Sequence, residues 1–337
     1  MDTAQAVVAP PRWAARLRLA VTAGVIALTV ALAVGQWETV EAGVRSLAGA
    51  DPAWVAAGLA ANAATWIAAL GMQYGSMRVR PGPGRLIGVQ FAVTGVSPVP
   101  GAGAAVYIRY LRREGLNTGE IVGVFLLMGL AAGVARVLYL LASLPAAPAG
   151  WRRATERWSD WRPAPDAAWS GPVPAGAVLI VLGLGCALLA FWLTRRDGAR
   201  RARRLARGLR ARIAADMLAV RAVAAHRGRA AGLWLGALAL PALNALTLYA
   251  MLRALGVRMG PGSVLVVYML VTTLAALLPA PNGIGSTEVV MTAGLVLGGV
   301  PAAPALGAAL GFRLVTFWGA LPPGIAAFAY LSRRRVL

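Results

Sequence analysis

The chain contains no lysine, one cysteine, one histidine and only 12 acidic residues in 337. Each scarcity removes a class of chemistry. Without lysine there is no P-loop, whose lysine must reach the nucleotide phosphates, so ATP-driven transport by this chain alone is not expected. Cys186 is alone, which excludes an intramolecular disulfide and a thiolate-held metal. His226 is alone and lies in a basic stretch, which excludes multi-histidine metal sites and Ser-His or Cys-His relays within the membrane. Eleven of the acidic residues fall in loops or tails, so no paired carboxylates stand ready for acid–base work. The chain reads as a non-enzyme with no cofactor and no metal.

What is abundant is arginine and apolar sequence. All 33 basic residues counted in the formal charge of +21 are arginine, yet only 13% of the chain is charged and 59% is hydrophobic. A soluble domain carries roughly 25% charged residues. The arginines are confined to short intervals between long apolar runs, which excludes a soluble nucleic-acid-binding domain. The runs fall at 19–35, 53–72, 86–106, 121–144, 173–194, 230–252, 263–279, 283–299 and 303–331. Segments of about 20 apolar residues are what a bilayer requires, so the chain is expected to be a polytopic membrane protein. The first run follows Arg12, Arg16 and Arg18 and ends near Ala31-Leu32-Ala33, which mimics a signal-peptidase site; it reads as an uncleaved anchor.

Two runs are interrupted alike. The third contains Ser97-Pro98-Val99-Pro100-Gly101-Ala102-Gly103, and the seventh and eighth are joined by Pro279-Ala280-Pro281-Asn282-Gly283-Ile284-Gly285. Proline removes a backbone donor and glycine weakens a helix, so neither stretch continues one. Lipid cannot satisfy the freed groups, so such breaks are tolerated only inside protein or beside water. The interruptions belong to a wider duplication. Asn62-Ala63-Ala64-Thr65 recurs as Asn244-Ala245-Leu246-Thr247, Pro98-x-Pro100 as Pro279-x-Pro281, and Gly115-Leu116 as Gly299-Val300, in the same order.

Charge sets the orientation. If each broken stretch is a re-entrant hairpin and the other six runs span, segments 1–18, 73–85, 109–120, 195–229 and 332–337 share one side and carry 24 of the 33 arginines. The positive-inside rule then places both termini in the cytoplasm. Each half has three spans, so the second is inverted relative to the first, an arrangement recurrent among transporters. The expected fold is therefore all-α: an inverted repeat of two three-span halves, each with a broken-helix hairpin. The expected segments are a cytoplasmic start at 1–18, a first membrane repeat at 19–144, a Trp-rich extracytoplasmic loop at 145–172, a second repeat at 173–331 and a tail at 332–337.

Glu288 is the one acidic residue in a membrane run, at the start of the half-helix leaving the second break. Intramembrane charges are costly and read first as functional; the bland alternative is a carboxylate placed at a favourable helix N-terminus. Arg313 lies too far inside the last run to snorkel easily, and Glu288 or a lipid phosphate is its expected partner. A purely structural Glu288–Arg313 pair is the competing reading. Arg136 lies nearer the end of its run, where snorkelling and function weigh equally. Asn62 and Asn244, each a turn from Thr65 and Thr247, suit interhelical hydrogen bonds or the lining of a path. Gly101, Gly103, Asn282, Gly283, Gly285 and Ser286 would present helix N-termini and polar backbone to a headgroup phosphate. Within 198–229, Leu205, Leu209, Ile213, Met217, Val220 and Ala224 recur at helical spacing among arginines, the pattern of a basic amphipathic helix on an anionic leaflet or on the protein's own cytoplasmic face.

The stretch Pro279-Ala-Pro-Asn-Gly-Ile-Gly-Ser-Thr-Glu288, with Gly299-Val300-Pro301 and Arg313-Leu-Val-Thr-Phe-Trp318, resembles the signature of the flippase-like lysylphosphatidylglycerol synthase transmembrane-region family. The break Pro98-Val-Pro-Gly-Ala-Gly103 followed by Arg109-Tyr-Leu-Arg-Arg-Glu-Gly115 resembles the N-terminal counterpart, and the similarity runs over about residues 20–331. The resemblance implies a bacterial inner-membrane protein that moves polar-headgroup lipids between leaflets, with Glu288 and Arg313 at the family's recurrent acidic and basic positions. The lipid expected is a phospholipid or a polyprenyl-phosphate-type lipid. Asn282 stands where the family has glycine, and Gly129 stands opposite Arg313 in the first half. The chain ends at Leu337 without the synthases' aminoacyl-transferase domain, so lysyl transfer is not expected. The competing function is a non-transporting scaffold of a lipid- or polysaccharide-modifying complex.

Overall fold

The computed structural model describes residues 37–79, 81–99, 101–143, 226–277 and 285–334. The runs at 19–35 and 173–194, the loop 145–172, the basic segment up to 225, and Asn282 and Gly283 lie outside the described residues. The described residues are helical: α1 (Trp37–Ala48), α2 (Pro52–Ser76), α3 (Pro83–Val96), α4 (Ala102–Arg113), α5 (Thr118–Ser143), α6 (Arg227–Ala254), α7 (Pro261–Leu277), α8 (Ser286–Leu297), α9 (Ala302–Arg313) and α10 (Leu321–Arg333), with a π-helical stretch, Leu314–Trp318, between the last two.

Local chemistry explains where these helices begin. Asp51 caps α2 by accepting the Ala53 N–H at 2.8 Å, with Pro52 at the first helical position, where its missing N–H costs nothing. At α5, Glu120 N–H donates to Asn117 Oδ1 at 2.9 Å and Asn117 N–H donates back to Glu120 Oε2 at 3.0 Å, a reciprocal capping box. Helices α4 and α8 begin differently. Each follows a glycine with positive φ, Gly101 at 80° and Gly285 at 81°, where a Cβ would be strained. The turns that close the same two helices also match. Gly115 and Gly299 have φ of 87° and 96°, and the N–H groups of Leu116 and Val300 reach back to Leu111 and Leu295. All these positions lie 184 residues apart.

Four stretches among the described residues are long and apolar enough to cross a bilayer: Pro52–Ser76, Thr118–Ala142, Arg227–Ala254 and Ala302–Arg333. Helices α3, α4 and α8 are not. With 14, 12 and 12 residues they extend about 21, 18 and 18 Å at 1.5 Å per residue, short of a hydrocarbon layer of about 30 Å. The expected interruption of the third run is therefore present, α3 ending at Val96 and α4 starting at Ala102; the stretch 279–284 of the second lies outside the described residues. Helices α3 and α4 pack on one another, as do α7 and α8.

Small residues make the longest seam. Helices α2 and α6 lie antiparallel, with Gly58 beside Met251 and Gly75 beside Arg229 and Leu233. A methyl at Gly75 would sit 2.3 Å from the Leu233 nitrogen and 2.6 Å from the Arg229 carbonyl oxygen, so this position requires glycine's close approach. A second antiparallel contact joins α3 to α10, where Gly95 meets the Gly324 backbone. Apolar cores form in each half. One gathers Leu86, Val89, Tyr110 and Leu111 from the first hairpin, and the other gathers Leu248, Met291, Leu295 and Ala309 from the second half.

Two features depart from the sequence expectations. Helix α1 occupies residues read as a loop between the first two runs; it packs in parallel on α9, with Gly43 against Gly307 and Leu47 against Gly311. Glu41 and Arg45 give it too polar a face for a membrane run. In addition, Arg227 and Arg229 belong to the first turn of α6 rather than to a separate amphipathic helix ending at 229. The Arg229 guanidinium donates to the Met77 carbonyl at the end of α2, which binds this end of the seam.

Candidate functional site

The site is assembled from three local irregularities. The first is the start of α8. Gly285 precedes it without a side-chain cap, so the first-turn N–H groups face outward from the helix end. Glu288 is the third residue of that turn, where a carboxylate is favoured by the helix dipole. The second is the end of α9, where Arg313 is the last residue before the π-helical stretch. The third is that stretch itself. The Gly319 N–H spans five residues to the Leu314 carbonyl at 2.7 Å, and such wide turns recur at functional sites.

Glu288 and Arg313 meet. Arg313 Nε–H donates to Glu288 Oε1 at 3.0 Å, with side chains only 10% and 14% exposed. The guanidinium also lies over the Phe317 ring, 4.5 Å from its centroid, and the wide turn carries that ring. Arg313 is thus held by a carboxylate and an aromatic face together. The second carboxylate oxygen, Glu288 Oε2, is buried and has no hydrogen-bond partner among the described residues, and Ser286 Oγ is in the same condition. Unsatisfied buried acceptors are expensive, and these two lie within one turn of the same helix start.

Asn62 approaches the same turn from the first half. Its Nδ2 donates to the Val315 carbonyl at 3.1 Å, and Thr65 Oγ1 donates to the Asn62 carbonyl at 2.6 Å. Asn244, the matching residue, instead donates to Leu240 within its own helix at 2.9 Å. Arg136 reaches Thr272 on α7 at 3.5 Å, joining α5 to α7. Gly101 precedes α4, and Gly103 packs against Val93 within that hairpin. The structure therefore brings Glu288, Arg313, Ser286 and Asn62 to one region and leaves Asn244 in an in-helix bond. Sequence reasoning missed Phe317 and the wide turn. The aromatic residues of Thr316-Phe317-Trp318 are their only trace in the sequence.

With helical described residues, four bilayer-length apolar helical stretches among them and a charged pair buried in their interior, this is a multi-pass integral membrane protein. Residues 15–324 match the family model described as the lysylphosphatidylglycerol synthase TM region, and the chain belongs to that family, which is linked to membrane lipid modification and flipping. No curated protein sequence matches it.

Proposed function

We propose that the protein moves phosphate-bearing polar lipids between leaflets of the bacterial inner membrane and performs no covalent chemistry on them. The observation that carries this reading is the sealed Glu288–Arg313 pair beside two buried polar oxygens without partners among the described residues. A charge pair in an apolar interior is costly to keep and is often no more stabilising than apolar packing. A site for a polar headgroup gives it a use. In this reading Arg313 receives the headgroup phosphate while Glu288 holds the guanidinium charge in check between passages. The first-turn N–H groups of α8 and α4 add backbone donors suited to an anion.

The architecture supports the same reading. Equivalent helices α2 and α6 lie antiparallel, as the two halves of an inverted repeat require. The matched left-handed glycines 184 residues apart flank α4 and α8 in the same way. Short helices α3, α4, α7 and α8 are then re-entrant hairpins entering from opposite faces, and the charge count sets both termini in the cytoplasm. The lipid is a phospholipid or a polyprenyl-phosphate-type lipid.

The test is a leaflet-translocation assay on purified protein in vesicles carrying a fluorescent phospholipid, with dithionite reporting the outer leaflet. Wild type is expected to accelerate exchange, and Arg313→Ala and Glu288→Ala to abolish the acceleration. Wild-type rates from both variants overturn the assignment.

A further inference from the structure

A groove of about 310 Å³ lies between α4 and α5, on the first hairpin and away from Glu288 and Arg313. Its walls are Ile121, Val122, Phe125 and Leu126 with Ile108 opposite, and its polar members are Arg112 and Thr118. Because α4 ends and α5 begins at the short 114–117 link, Arg112 and Thr118 stand at the link end of the groove. Phe125 and Leu126 lie two turns deeper, about 12 Å along α5.

The surroundings indicate what occupies it. Arg109, Arg112 and Arg113 are all exposed along one side of α4. One nearby carboxylate, Glu120, is engaged in capping α5 and stands 3.7 Å from Arg78; the other, Glu114, follows directly on α4. The groove end is therefore basic on balance. Beyond the groove, α5 stays apolar and exposed through Leu130, Val137 and Leu141, the face a spanning helix turns to acyl chains.

We infer that the α4–α5 groove holds one acyl chain of an anionic glycerophospholipid, whose phosphate is gripped by Arg112. Arginine and phosphate pair bidentately, a surface arginine adds attraction to anionic lipid, and the apolar walls take the chain out of the bulk bilayer. The site is static, a resident-lipid seat that fixes the first hairpin against α5, and it stands independently of the transport reading.

The experiment uses full-length protein incorporated into vesicles of phosphatidylglycerol mixed with excess phosphatidylcholine, then extracted into detergent. Native mass spectrometry counts the phosphatidylglycerol that stays bound. Arg112→Gln is expected to lower that retention about fivefold, the weight of one surface arginine on an anionic lipid, while leaving phosphatidylcholine adducts unchanged. Val122→Trp, at a position 38% exposed, fills the groove and is expected to displace the lipid altogether. Arg45→Gln, at an exposed arginine on α1 outside the groove, is expected to change nothing in this measurement; because retention involves no translocation, the two readings fail separately. Wild-type retention by Arg112→Gln overturns the inference, as does wild-type retention by a folded Val122→Trp. If Val122→Trp does not fold, the exposed Arg112→Gln variant decides alone.

Discussion

Neutralising one partner of the Glu288–Arg313 pair is expected to do more damage than removing both. The pair is 3.0 Å apart with side chains 10% and 14% exposed, so a surviving charge is left in an apolar interior without its counter-ion. Breaking such a pair costs about 3–5 kcal/mol, whereas replacing both charges by apolar groups is often neutral. The Phe317 face under the guanidinium adds about 0.5–2 kcal/mol to what Arg313→Leu loses. The contrast is Glu41–Arg45 on α1, whose side chains are 45% and 76% exposed and whose coupling is expected at about 0.5 kcal/mol or less. The assay is a double-mutant cycle on Glu288→Gln and Arg313→Leu, read by denaturant unfolding in detergent micelles, with a Glu41→Gln, Arg45→Gln cycle beside it. The expected coupling exceeds about 2 kcal/mol for the first cycle and is near zero for the second. Additive single effects in the first cycle refute the reasoning, because they mean that neither charge depends on the other. A stable double variant that no longer translocates lipid separates the pair's use in transport from its place in the fold.

Four further outcomes follow from the packing. Gly75→Ala puts a methyl 2.3 Å from the Leu233 nitrogen and forces α2 and α6 apart; a loss of about 1–3 kcal/mol in unfolding free energy is expected, as for other overpacked contacts. Asn62→Leu strands the Val315 carbonyl beside Arg313 and is expected to cost about 1–3 kcal/mol. Asn244→Leu removes only an in-helix bond and is expected to cost under about 1 kcal/mol by the same unfolding measurement. Tyr139 OH donates to the Leu238 carbonyl at 2.8 Å, three residues before Pro241 in α6, where the proline disturbs the backbone ladder. Tyr139→Phe is therefore expected to cost about 1 kcal/mol, visible as faster hydrogen exchange around 238–242.

What was legible in the sequence followed backbone chemistry. Proline and glycine announce their own effect, so the interruption before Gly101 and the left-handed glycines at Gly101, Gly115, Gly285 and Gly299 are legible from residue identity alone. The scarcity of acidic residues drew attention to Glu288, and its partnership with Arg313 could be framed as one of two readings before any geometry. Helix α1 was not legible. Its partner is the small-residue face of α9, more than two hundred and fifty residues away, and Glu41 and Arg45 interrupt its apolar pattern in the sequence. The wide turn at Leu314–Trp318 was hidden for a related reason. The π-helical stretch Leu314–Trp318 holds no glycine or proline, and its contacts with Asn62 and the Arg313 guanidinium come from packing across elements. Asn62 and Asn244 look alike in sequence, yet only Asn62 faces a carbonyl on another helix.

The transport reading rests on the proposed opposed orientation of the two halves. In a variant with Cys186 replaced by serine, single cysteines at Asn117 and Ala303 mark corresponding stretches, just after the Gly115 and Gly299 turns. Labelling intact cells with a membrane-impermeant maleimide is expected to reach Ala303→Cys from outside and Asn117→Cys only after the membrane is opened. Labelling of both from the same side contradicts the account.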